Sequence, residues 1–73
     1  MTISNKVKEL RLEMGLSQEK LANAVNVTRQ TIISLEKGSY IPSLLLAFDL
    51  SEVFGLPIEK IFKKESMKWR KCL

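Results

Sequence analysis

Apolar residues recur along this chain at helical spacing, with breaks at Gly15, Asn26, Gly38 and Gly55. Val7, Leu10 and Met14 mark one face of a first helix, expected to open at Ser4 as its cap and to end at Gly15. Leu21 and Val25 fall one turn apart in a second helix capped by Ser17. Thr28 caps a third, running to about Lys37, with Gly38 as its stop. Ser43 caps a fourth helix reaching about Phe54, and Pro57 opens a short fifth through Phe62. The fourth carries too many apolar residues for one stripe, so it is expected to be central and covered on more than one side. Five helices with short connections predict a compact, all-α fold.

The second and third helices are separated only by a tight break at Asn26, a residue that tolerates positive φ. Two helices joined by so short a turn are the sequence form of a helix-turn-helix, here spanning about residues 17–37. Ala22 lies on the side facing the next helix, where a small residue permits close approach. On the third helix Ile32 and Leu35, with Glu36 beside them, fall on one side; Arg29, Gln30, Ile33, Ser34 and Lys37 fall on the other. Amide, guanidinium and hydroxyl groups on a free helix face are what major-groove reading requires: Gln pairs bidentately with adenine and Arg with guanine. The alternative is an ordinary solvated face. Gln18, in the first turn of the second helix, is a candidate phosphate contact or a plain exposed amide.

Arg11 stands on the apolar face of the first helix, where an unpaired charge would cost several kcal/mol. Glu36, beside Leu35, is its natural partner. The pair is expected to lock the first helix to the third rather than to touch DNA.

The 73 residues make one domain, and 45% hydrophobic content suits a folded one. A chain of this size buries only about 60% of its unfolded surface, so dimerisation is an obvious way to extend the core. His is absent and Cys72 is single, which excludes a zinc site of the usual kind, a Ser–His or Cys–His nucleophile and an intrachain disulfide. With no glycine-rich phosphate loop either, no catalytic role, metal or cofactor is expected. Neither a membrane-spanning run nor a signal segment is apparent, so the expected location is the cytoplasm. Residues 1–62 hold seven Lys/Arg against seven Asp/Glu, whereas residues 63–73 hold five against one, the whole of the net +4. Basicity therefore belongs to the tail and not to the helix-turn-helix. Periodicity leaves that tail open between strand and helix: Met67 and Trp69 alternate with Lys68 and Arg70, yet Phe62, Ser66, Trp69 and Leu73 share helical spacing. A solvated, disordered end and a phosphate-touching one are both compatible with its charge.

Taken together, LRLEMGLSQEKLA, VTRQTIISLEKGSYIPSLLLAFDLSEVFG and IEKIF resemble the phage repressor and Cro-like (XRE-type) helix-turn-helix regulators, in a short stand-alone subgroup. The likeness covers residues 4–62. It implies a lambda-repressor-like five-helix domain with a small sheet, Thr2 and Ile3 pairing with residues 61–65. It implies recognition-helix positions at Thr28, Arg29, Gln30, Thr31 and Ser34, with Gln30 the leading base reader. Phosphate contacts are implied at Gln18 and along the backbone from Lys37 to Tyr40; Ser17, Thr28 and Ser39 are further phosphate candidates. It implies the Arg11–Glu36 pair as well. Asn26 replaces the family's usual Gly, and Ile33 stands where relatives carry a polar residue, either to meet a thymine methyl or as a tolerated apolar side chain. The expectation is a DNA-binding regulator, most simply a repressor, bound as a homodimer to an inverted repeat of double-stranded DNA, with no small-molecule ligand. The rival is an antitoxin-like protein-interaction module in which DNA binding is secondary.

Overall fold

Three of the helices begin where a hydroxyl side chain takes up an otherwise unpaired backbone N–H. In the computed structural model, which describes residues 2–65, Ser17 accepts from the N–H of Lys20, Thr28 from Thr31 and Ser43 from Leu46. Those caps open α2 (Gln18–Ala24), α3 (Arg29–Glu36) and α4 (Leu44–Phe54). The chain around them is β1 (Thr2–Asn5), α1 (Val7–Glu13), α5 (Ile58–Ile61) and β2 (Phe62–Glu65). The fold is five helices with a small sheet.

The first helix begins later than expected. Ser4 does not cap it: Ser4 lies in β1, and Asn5 Oδ1 accepts the N–H of Val7 at 3.1 Å. The fifth helix is also shorter, because Phe62 takes an extended backbone (φ −116°, ψ 141°) and opens β2. The two strands pair antiparallel, with Thr2 opposite Glu65 and Asn5 opposite Phe62. Of the tail, residues 63–73, the first three lie in β2, and residues 66–73 lie outside the described residues.

The core draws on every helix: Val7, Leu21, Ala22, Val25, Ile32, Leu35, Leu46, Leu50 and Ile61 are buried together. Each fully buried Leu or Ile contributes about 1.5–3 kcal/mol, so the chain is held chiefly by α2, α3, α4 and α5 closing on one centre. Two expectations about burial fail. Met14, the C-cap of α1, is exposed rather than packed with Val7. The helix α4 is covered on one side only: Leu46, Ala47 and Leu50 face inward, while Leu44, Leu45 and Phe48 are exposed.

Candidate nucleic-acid interface

The geometry of the α2–α3 corner follows from one residue and one small side chain. Asn26 adopts φ 61°, the left-handed conformation that ends α2 and turns the chain. The N–H of Val27 then donates to the carbonyl of Ala22 at 2.9 Å. Ala22 is itself buried, so the chain can cross close to α2 without a larger side chain intervening.

With Ile32 and Leu35 driven into the core, the opposite side of α3 must face outward. Arg29 and Gln30 are exposed there, and Thr31, Ile33 and Ser34 are half-buried. The Thr31 hydroxyl lies 3.0 Å from that of Thr28, so the cap and the second residue after Arg29 are tied together. Beyond the far end of α3, Lys37, Ser39 and Tyr40 are exposed. The Ser39 hydroxyl and N–H both donate to the carbonyl of Ser34, at 3.2 and 3.1 Å, which folds this loop back on the helix. Candidate phosphate residues thus stand at both ends of an eight-residue helix, roughly 12 Å long at 1.5 Å per residue.

Arg11 is only 7% exposed. Its Nε donates to Glu36 Oε2 at 2.7 Å, Nη2 to Glu36 Oε1 at 3.3 Å, and Nη1 to the carbonyl of Leu16 at 2.8 Å. Gln18 Nε2 donates to the same Glu36 Oε1 at 3.2 Å. One carboxylate therefore gathers α1, the first turn of α2 and the last turn of α3. Among the described residues no buried side-chain nitrogen or oxygen lacks a partner, which is the condition for burying an ion pair at tolerable cost.

Arg11, Ser17, Gln18, Glu19 and Arg29 line an open depression of about 500 Å³ between the starts of α2 and α3. It brings the candidate phosphate residues Ser17 and Gln18 beside the candidate base reader Arg29. Sequence reasoning missed two participants. Glu19 places a carboxylate in the depression. Asn5, besides holding the start of α1, donates from Nδ2 to the carbonyl of Leu35 at 2.9 Å and so fixes the end of α3 from β1. Asn ranks with Ser as a cap, and that was the signal available for it.

The chain matches the model of the HTH_3 family, described as helix-turn-helix, over residues 7–61. It belongs to that family, the XRE-type regulators. The chain is 53% identical over 60 residues to the uncharacterised HTH-type transcriptional regulator YgzD of Bacillus subtilis, spanning 82% of this chain and 91% of that one. It is 36% identical over 58 residues to the cryptic phage CTXphi transcriptional repressor RstR of Vibrio cholerae, covering 80% of this chain and 52% of RstR. Among solved structures, the restriction-modification controller protein C.AhdI of Aeromonas hydrophila superposes with a TM-score of 0.70 at 29% identity, over 75% of this chain and 83% of that one. The protein is a transcriptional regulator with a helix-turn-helix DNA-binding domain, in a family that is not enzymatic. No helix among the described residues is long and apolar enough to cross a membrane.

Proposed function

We propose that this regulator is a cytoplasmic repressor that binds an inverted-repeat operator as a homodimer, with α3 of each copy in the major groove. The observation that carries this reading is the division of α3 into a fully buried side, Ile32 and Leu35, and a free side that begins with Arg29 and Gln30. Gln30 is the leading base reader and Arg29 the second; Thr31, Ile33 and Ser34 shape the contact along the same side.

Phosphates are gripped on either flank of that helix, by Ser17, Gln18 and Thr28 before it and by Lys37, Ser39 and Tyr40 after it. Glu36 occupies one N–H of the Gln18 amide, and an amide nitrogen has a second to offer. The charge layout of α3 supports the same role. It opens on Arg29 and has no acidic residue in its first turn, an arrangement unfavourable for an isolated helix and relieved by an anion at that end. The name of RstR, a phage repressor, favours repression, which promoter occlusion would achieve without any ligand.

Replacing Gln30 with Ala tests the reading. Loss of one bidentate base contact is worth about 1–3 kcal/mol, so affinity for a sequence selected from a random duplex pool should fall roughly ten- to a hundredfold, while affinity for bulk duplex DNA stays nearly constant. An equal fall on both would remove Gln30 from base reading.

A further inference from the structure

The side chain of Asn5 is bonded through both its oxygen and its nitrogen. Its Oδ1 accepts the N–H of Val7 at 3.1 Å, and its Nδ2 donates to the carbonyl of Leu35 at 2.9 Å. An N–H needs the oxygen and a carbonyl needs the nitrogen, so these partners hold the amide in one orientation. The backbone beneath it is held as well. Asn5 pairs with Phe62 across the sheet, and the N–H of Lys6 donates to the carbonyl of buried Ile61 at 2.9 Å. Both strands lie outside residues 7–61, the segment that matches the family model. A part of the chain beyond that segment therefore reaches the end of α3.

What it reaches is the root of the loop assigned above to phosphate. Carbonyls in the last turn of a helix have no partner within the helix. Here the carbonyl of Leu35 takes the N–H of Gly38 at 3.0 Å besides the Asn5 amide, and that of Ser34 takes the N–H of Ser39 at 3.1 Å. Among the described residues, Asn5 is the donor to these two carbonyls that comes from outside α3 and its loop. Residues 37–40 are all exposed. Burial does not hold this loop, so its course is set by the bonds at its root.

We propose that Asn5 is a positioning residue for DNA binding, which places Lys37 to Tyr40 against the phosphate backbone by holding the carbonyl of Leu35. The proposal rests on the DNA-reading function above and adds to it a residue that does not itself touch DNA. A binding group must stay within about 0.5 Å of its productive place to act at full strength. Without Asn5 the Leu35 carbonyl is left to water, the turn at Gly38 loosens and Lys37 meets its phosphate less often. Base reading is unaffected, because Arg29 and Gln30 stand at the opposite end of α3, under the Thr28 cap.

Asn5→Ser separates the two bonds of the side chain. A serine hydroxyl still caps α1 but is too short to reach Leu35, and the net charge is unchanged. Circular dichroism should show a folded, helical variant. Its affinity for the duplex selected by wild type should fall about tenfold, the worth of one net hydrogen bond. The slope of log affinity against log salt should become shallower by about 0.9, one phosphate contact, while a random duplex pool returns the same sequence. Lys37→Ala should flatten the slope alike, and the double variant no further. Unchanged affinity and slope in Asn5→Ser would overturn the proposal, as would additive losses in the double variant. An unfolded Asn5→Ser would make the bond a support of the fold and overturn it too. So would an altered sequence preference at an unaltered slope, which belongs to base reading. The DNA reading fails separately, if wild type itself recovers no shared sequence, and then takes the proposal with it.

Discussion

Arg11 sets the terms at the scale of single residues. A guanidinium leaves water only where its donors are met, and here they reach Glu36 and the carbonyl of Leu16. Glu36→Gln keeps an acceptor but removes the countercharge, so stability should fall by about 3 kcal/mol, the lower range for a broken buried pair. For a domain of this size that lowers Tm by roughly 10 °C or more; a thermal melt unchanged from wild type would show that the pair contributes nothing to the fold. The pairing was legible in sequence because a charge on an apolar face demands an opposite one on another such face. The hold of Asn5 on the end of α3 was not legible. Its bond to Leu35 spans 30 positions and exists only because β1 carries it to the end of α3. Local capping rules favoured Ser4, whose position is taken instead by strand pairing with Lys63.

Elements were readable to the extent that their signals are local. Ser17, Thr28 and Ser43 each bond a backbone N–H three residues on, so their helix starts follow from sequence alone. Asn26 is local in the same sense, since its left-handed φ belongs to the residue and not to its neighbours. Asn26→Gly should leave stability equal or raise it by up to about 1 kcal/mol, whereas Asn26→Val should lower it by about 1–2 kcal/mol, because a β-branched side chain resists positive φ. Urea unfolding distinguishes these; a Val variant as stable as wild type would mean that the turn does not depend on this conformation. The reading of α4 failed for a physical reason. An all-round apolar pattern does not say which side the core takes, and the fold covers only the side with Leu46 and Leu50. The strand at Phe62 likewise depends on β1 as a partner, and helical spacing alone carried the expected fifth helix past Ile61.

At the scale of the molecule, residues 1–62 are electrically balanced, and the excess charge of the chain lies in residues 63–73. Overall attraction to DNA therefore does not account for the proposed recognition, which rests on the placement of side chains on and around α3. That placement is produced by the core holding Ile32 and Leu35, by Glu36 joining three helices, and by the Asn26 turn. The free side of α3, where the proposed base readers stand, was legible because it is what remains after the buried side is subtracted; the depression beside Arg29, with Glu19 in it, required the folded chain. The most direct test is selection of bound duplexes from a random pool with the purified wild-type protein. The account predicts an inverted repeat whose half-sites lie about one helical turn, roughly 34 Å, apart, and a changed preference within each half-site for Gln30→Ala. A pool without any shared sequence, bound only at low salt, would reduce binding to charge attraction and contradict reading by α3.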